Sequence, residues 1–169
     1  MDKQHAFVQF DIRHFLSRAK GSMMIDTGYV KFTGDLKTSE VWVSLNVKSL
    51  NTGVEGRDKH LWDSDFFAAD SFPNITFKSN SVDTLIRNPD FAYVAKGELK
   101  MKNNSMNIEI PFNYTGKYIP KDKTGKEWPA IYSFIGKVII NREKMGIAKG
   151  SSSLSEDVAV DFAIEANEK

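Results

Sequence analysis

The chain contains no cysteine, which excludes disulfide bonds and metal sites built on thiolate ligands. It has no apolar run near the roughly 20 residues that a membrane-spanning helix requires. It also has no excess of one charge, because 23 lysines and arginines meet 22 aspartates and glutamates for a net charge of +1. Nucleic-acid-binding domains are usually clearly basic, so the composition does not indicate that class of protein.

What is present is the composition of a folded chain. Hydrophobic residues make up 41% and charged residues 27% of the 169 positions, which is typical of globular rather than disordered sequences. A chain of this length predicts one domain spanning residues 1–169.

Alternation of apolar and polar residues is the main structural pattern, and it recurs in about eight segments. The clearest segment covers residues 41–48, and another runs through Val30, Phe32 and Leu36. Such strands predict an antiparallel sheet with one wetted face, and no amphipathic helix is long enough to cover the other face. The sheet must therefore cover itself, as a barrel or a sandwich. Pro111 falls inside a strand pattern and predicts an edge position or a bulge.

Two segments interrupt the alternation. Residues 13–20 have the spacing of a short helix, and residues 54–67 place large apolar side chains among charges at roughly helical spacing. Helical segments at one end of a barrel predict a lid or a mouth.

Six short blocks carry a family resemblance. Residues 57–67 read RDKHLWDSDFF and residues 72–79 read FPNITFKS. The blocks FDIRH, LNTG, NREKMGI and LSEDV at residues 10–14, 50–53, 141–147 and 154–158 agree in order and spacing. Together they resemble the YceI-like family over nearly the whole chain. One block departs: residues 97–106, GELKMKNNSM, lack the turn glycine and the Thr-Lys pair common in the family, which predicts a changed hairpin turn.

The resemblance implies a lipocalin-like antiparallel β-barrel of about eight strands, with short helical insertions near one end. It further implies a bacterial protein that binds, stores or transports a long-chain isoprenoid or similar amphiphilic lipid in an apolar cavity, without catalysis and without a cofactor. Members are often exported, so the expected compartment is the periplasm or outside the cell if a leader precedes this sequence, and the cytoplasm otherwise. The expected partner is the lipid, and neither nucleic acid nor an integral membrane segment is expected. The resemblance does not decide between a monomer and a homodimer.

The inward face of the predicted strands carries many large side chains. Their predicted ligand-binding members are Phe10, Phe32, Phe77, Tyr93, Phe112, Tyr114, Phe134 and Phe162. Two interpretations are open, because a barrel of about eight strands either fills its interior with side chains or holds one small ligand. The resemblance favours a cavity.

Polar candidates for the ligand's head group are His14, Arg57, His60 and Arg142. An Arg fork suits a phosphate or carboxylate because it donates two parallel hydrogen bonds. The competing interpretations are structural. Arg57 is then paired with Asp58, and Arg142, on the inward parity of its strand, is paired with Asp58, Asp63, Asp65 or Glu143.

Catalytic and metal-binding signals are weak. His5, His14 and His60 fit no short ligand spacing, so no metal site is predicted. Asp63 and Asp65 have the chemistry of an acid–base pair, but nothing nearby supports that role. Two rival functions remain: an enzyme acting on a lipid or quinone held in the same cavity, and a structural or interaction barrel with a filled core.

Overall fold

The computed structural model describes residues 6–31 and 35–168. The regular structure of these residues consists of eight β-strands, one α-helix, α1, and two 3₁₀ turns at Leu36–Thr38 and Val47–Ser49. The strands are β1 Phe7–His14, β2 Ser17–Lys31, β3 Glu40–Asn46, β4 Asn74–Thr84, β5 Tyr93–Met101, β6 Asn104–Tyr118, β7 Ile131–Asn141 and β8 Leu154–Asn167, and α1 covers Glu55–Trp62.

The strands form one closed barrel in which each strand pairs antiparallel with the next and β8 pairs back onto β1. The predicted fold class is confirmed. The up-and-down order gives the barrel two ends. We call residues 15–16, 47–73, 102–103 and 142–153 the helix end, and residues 85–92 and 119–130 the opposite end.

Apolar side chains pack most tightly at the helix end. Met145 is 0% exposed and Val47 is 1% exposed, and the aromatic residues after α1 pack against the same cluster. Burying a side chain of this size contributes roughly 1.5–3 kcal/mol. The cluster therefore fixes the α1 segment and the β7–β8 connection over the barrel wall.

The prediction of a helix at residues 13–20 is wrong. These residues form the end of β1, a two-residue turn at Phe15–Leu16 and the start of β2, with Arg13 directly opposite Arg18. The inward residues of early β2 are small, because a Cβ at Gly21 would lie 2.5 Å from the Phe10 ring. Small inward residues weaken the alternation signal and let the helical spacing dominate.

The prediction of a second strand through Val30, Phe32 and Leu36 is wrong about where that strand begins and ends. Strand β2 begins at Ser17, and Leu36 opens a 3₁₀ turn instead of continuing a strand. A β-bulge between Ile25 and Thr27 shifts the alternation inside β2, so the inward parity changes partway along the strand. Phe32 lies outside the described residues.

Two structural predictions remain, the helix within residues 54–67 and the position of Pro111. The helix expected within residues 54–67 is present as α1. Pro111 is not at a bulge, because β5 and β6 pair continuously through Val94 and Pro111. Pairing of β6 with β7 begins one residue later, at Phe112. Around Pro111 the strand is thus paired on one side only, as at an edge, where a residue without an N–H is tolerated.

Candidate functional site: an apolar cavity inside the barrel

A cavity of about 1760 Å³ runs through the barrel. Typical small-molecule pockets occupy about 300–1,000 Å³, so this one is large enough for a long ligand. The interpretation of a barrel interior filled by its own side chains is wrong.

The predicted inward face forms the wall of this cavity. Eleven of the twelve predicted site residues lie within the described part of the chain, and all eleven line the cavity. They are Phe10, His14, Arg57, His60, Phe77, Tyr93, Phe112, Tyr114, Phe134, Arg142 and Phe162. Their contact with a ligand stays a prediction. The twelfth, Phe32, lies outside the described residues.

Aromatic rings form a connected group across β5, β6 and β7. The Tyr93 and Phe112 rings stack with centroids 5.5 Å apart, and Phe112 meets Phe134 edge-on at 6.2 Å. Tyr114 lies 5.6 Å from Phe134 and 6.4 Å from Tyr132. The group follows from register, because Tyr93 is paired with Phe112 and Tyr114 with Phe134 across the strands. Its members give one side of the cavity flat, rigid apolar surface.

Aliphatic side chains complete the wall, and the sequence-based site prediction omitted them. The omitted lining residues include Val8, Ile12, Val41, Val43, Leu45, Ile75, Val82, Leu99, Ile108, Ile110, Val138, Val158 and Val160. Most carry the same period-two signal as the predicted aromatic residues. Their inward parity is the signal that identifies them, although their side chains are smaller than the aromatic ones.

Polar lining residues are concentrated at the helix end. The Arg57 Nε donates to Thr52 Oγ1 at 2.8 Å and its Nη2 to the Thr52 carbonyl at 3.1 Å. Asp58 Oδ1 accepts from the Thr52 backbone N–H at 2.9 Å and from its hydroxyl. The expected Arg57–Asp58 ion pair is therefore wrong: both residues fix Thr52. Arg57 lines the cavity, and the hydrogen bonds found within the described chain use its Nε and Nη2.

His60 lies beside Arg57 on the same helix. Its Nε2 is 3.1 Å from Asp65 Oδ2, and its ring meets Phe66 edge-on at 4.9 Å. Both partners are exposed, His60 by 61% and Asp65 by 60%. The segment is tied down at its backbone, since Lys102 Nζ donates to the Ser64 carbonyl at 2.9 Å and the Ala148 N–H donates to the Asp65 carbonyl at 3.0 Å. The pair lies at the rim of the cavity, and not deep inside it.

Arg142 is 3% exposed and uses its donors on the connection between β7 and β8. Its Nε donates to the Ser155 carbonyl at 2.8 Å, and Nη2 donates to the Ser151 and Leu154 carbonyls at 3.1 and 3.0 Å. Nη1 donates to the Ile147 carbonyl at 2.9 Å and to the Ala148 carbonyl.

An arginine has five N–H donors, and five carbonyls accept from Arg142. Nη2 also lies 3.3 Å from the Glu143 carboxylate, one of the partners expected from sequence. A polar contact with a ligand would require breaking one of these bonds. These bonds support the structural interpretation of Arg142 at the cavity wall, and its contact with a head group stays a prediction.

The described residues form neither a metal site nor a membrane-spanning helix. Across residues 6–31 and 35–168, no three histidine, aspartate or glutamate side chains converge as a metal site would require. In the same ranges, no helix combines the length and apolarity needed to cross a bilayer.

Comparison with known proteins agrees with the geometry of the barrel. The chain is 30% identical over 172 residues to a UPF0312 protein of Staphylococcus aureus strain USA300, covering 97% of this chain and 94% of the relative. The structure of Burkholderia cenocepacia BcnA is similar with a TM-score of 0.77, 17% identity and 98% of each chain covered. A polyisoprenoid binding domain from Saccharophagus degradans has a TM-score of 0.66 at 12% identity, with 97% of this chain and 94% of that domain covered. Residues 1–166 match the sequence profile of the YceI-like domain, and the chain therefore belongs to the YceI-like family.

Proposed function

We propose that the protein binds, stores or carries a long-chain isoprenoid or a similar amphiphilic lipid in its cavity without transforming it. The observation that carries the proposal is the cavity of about 1760 Å³ with its continuous aromatic and aliphatic wall. The name of the Saccharophagus degradans domain, which shares the fold, supports the same class of ligand.

The energetics suit a hydrocarbon chain. Each buried CH₂ contributes about 0.8 kcal/mol. Because an isoprene unit has five carbons, a few units contribute on the order of 10 kcal/mol before the costs of binding. A hydrocarbon chain needs no directed hydrogen bonds along its length, which agrees with a cavity whose polar side chains are concentrated at the helix end.

The head group belongs at the helix end in this proposal. We assign the polar or anionic head group to the Arg57 guanidinium and the His60 ring, which lie on the same helix and both line the cavity. Phosphate or carboxylate oxygens accept such charge-assisted hydrogen bonds well. The rings of Tyr93, Phe112 and Phe134 then contact the tail.

A second candidate function rests on the His60–Asp65 contact at 3.1 Å. A histidine oriented by a carboxylate is the arrangement of a general base, and it lies where a lipid or quinone head group would be. We rank this enzyme below the carrier because both side chains are about 60% exposed at the rim. Catalysis usually needs such a pair held in a site from which water is excluded.

Native mass spectrometry of the purified protein tests the carrier first, followed by lipid analysis of an organic extract. We expect a stoichiometric adduct that is lost on denaturation and extracts as a long-chain lipid of unchanged mass. A lipid-free protein that takes up no isoprenoid when polyprenols of increasing length are offered would contradict the proposal. Steady conversion of the offered lipid to a product of different mass would favour the enzyme.

A further inference from the structure

The turn between β1 and β2 places two large apolar side chains in solvent. Leu16 is 105% exposed and Phe15 is 66% exposed. The residues of a two-residue hairpin turn with positive φ are usually Gly, Asn or Asp, yet Phe15 has a φ of 50°. A bulky residue in that region strains the backbone. The Phe15 ring meets the His14 ring edge-on with centroids 4.8 Å apart, and Leu16 projects fully into solvent.

Cationic side chains flank this turn. Arg13 and Arg18 are directly opposite each other in the β1–β2 register, and Lys20 is opposite Asp11. Like charges directly opposite across two strands are destabilising. Asp11 offsets part of this, because its carboxylate lies 2.6 Å from the Arg18 Nε and 3.6 Å from the Lys20 Nζ. Asp11 thus pairs with two of the three cations, and residues 11–20 keep an excess of positive charge.

The hairpin is continuous with the cavity. His14, just before the turn, and Ala19, just after it, both line the cavity. The Phe15 N–H donates to the Ser153 carbonyl at 2.8 Å, and Ser153 lines the cavity from the β7–β8 connection. The exposed tip therefore stands on the rim of the helix end.

We propose that this hairpin docks on an anionic lipid bilayer. Phe15 and Leu16 enter the boundary between head groups and acyl chains, and Arg13, Arg18 and Lys20 meet the phosphates. An apolar tip with basic flanks is the chemistry that binds the surface of such a bilayer. Docking in this orientation sets the helix end of the cavity against the membrane, where a lipid is exchanged. The inference goes beyond the proposed function, since the surface contact does not depend on which lipid the cavity holds.

A single-cysteine label tests the contact directly, because the natural chain has no cysteine to interfere. A polarity-sensitive fluorophore on Leu16→Cys is compared with the same label on Ile86→Cys, which is 84% exposed at the opposite end. The probes are vesicles of phosphatidylcholine with phosphatidylglycerol, and vesicles of phosphatidylcholine alone.

We expect a blue shift and an intensity rise at position 16 only, and mainly with the anionic vesicles. No change at position 16 overturns the proposal. A change at position 86 without one at position 16 also overturns it, because the membrane would then face the opposite end. An equal response at position 16 to both vesicle types overturns the role of the cations.

Vesicle flotation of unlabelled variants measures how much each side chain contributes to partition into the vesicles. Phe15→Ser combined with Leu16→Ser should reduce partition into anionic vesicles by about tenfold or more, and Ile86→Ser should leave it unchanged. Arg13→Gln should reduce it by about fivefold, and added salt should shrink that difference. Partition of the double variant equal to that of the natural chain would refute the docking hairpin.

A separate measurement distinguishes lipid binding in the cavity from docking of the hairpin. It follows uptake of a polyprenol delivered from solvent in the absence of vesicles. We expect the double variant to retain this uptake and its melting temperature. Lost vesicle binding with retained uptake supports the hairpin as the docking element. Retained vesicle binding with lost uptake overturns the docking role of the hairpin. If the double variant loses both vesicle binding and polyprenol uptake, the fluorophore at position 16 decides the question. It reports membrane contact in a chain that keeps Phe15.

Discussion

The two ends of the barrel differ in how their connections are held. At the helix end, Met145 is fully buried, and Arg142 donates to five carbonyls between residues 147 and 155. At the opposite end, Ile86, Tyr118 and Trp128 are 84%, 66% and 60% exposed in or beside the connections. The β7–β8 connection of the helix end is thus a fixed frame for polar groups, whereas exposed apolar side chains occur at both ends, at Phe15 and Leu16 beside this frame and in the connections of the opposite end.

The largest effect on stability is expected from removing the hydrogen bonds of Arg142 at the helix end. Arg142→Met should lower the free energy of unfolding by about 3–5 kcal/mol, because buried carbonyls lose their charged donor. Lys123→Met, in a connection of the opposite end, should change it by less than about 0.5 kcal/mol. Urea denaturation of both variants measures the difference. Equal small losses would show that the five bonds of Arg142 are dispensable and that the two ends do not differ in this way.

The next effect concerns the wall between the two ends. Phe134 and Ile135 are neighbours on β7, but Phe134 lines the cavity and Ile135 is 43% exposed without lining it. Phe134→Asp should abolish retention of the lipid, or folding, because an unpaired charge in an apolar site costs several kcal/mol.

Ile135→Asp is the matched control and should keep both properties, since its charge meets water. Circular dichroism separates loss of the lipid from loss of the fold, and lipid extraction measures retention. A Phe134→Asp protein that folds and retains its lipid would remove this ring from the proposed tail channel.

A smaller effect should distinguish head groups at the helix end. Arg57→Ala should weaken binding of an anionic isoprenoid by about tenfold, because a charge-assisted hydrogen bond contributes roughly 1.5–3 kcal/mol. It should affect the uncharged alcohol of the same length much less. Displacement of a fluorescent lipid gives both affinities.

Lys59→Ala is the control on the same helix, because Lys59 pairs with Glu55 at 2.7 Å and does not line the cavity. Equal losses for the anionic and the neutral lipid would leave Arg57 with its structural task of holding Thr52.

No effect is expected from zinc. His14 and His60 both line the cavity, but a tetrahedral site needs further converging ligands. A thermal melt in increasing Zn²⁺ should therefore show no saturable rise in the melting temperature. A saturable rise that is lost in His60→Ala would place a metal at the rim of the helix end.

Sequence patterns predicted the wall of the site better than its ends. Inward parity is local, so Phe77, Phe112 and Phe162 could be assigned to the cavity from alternation alone. The hairpin at residues 13–20 could not be predicted in this way. Small inward residues such as Gly21 weaken the alternation of apolar and polar positions, and the adjacent apolar residues Phe15 and Leu16 interrupt it. The Arg57–Asp58 pair was also wrong, since adjacent charges on a helix find partners set by the preceding turn, here Thr52.

By itself the sequence determined about eight strands, because alternation is a property of neighbouring residues. Alternation left a barrel and a sandwich as alternatives, and the barrel followed from the short motifs that carry the family resemblance. The tertiary structure decided which interpretation of the inward face is right, since a void exists only when β8 closes onto β1 around it. It also decided the hydrogen-bond partners of Arg142. Its five acceptors lie in the β7–β8 connection and at the start of β8, and their carbonyls converge only after β7 and β8 have paired, so no spacing in the sequence encodes them.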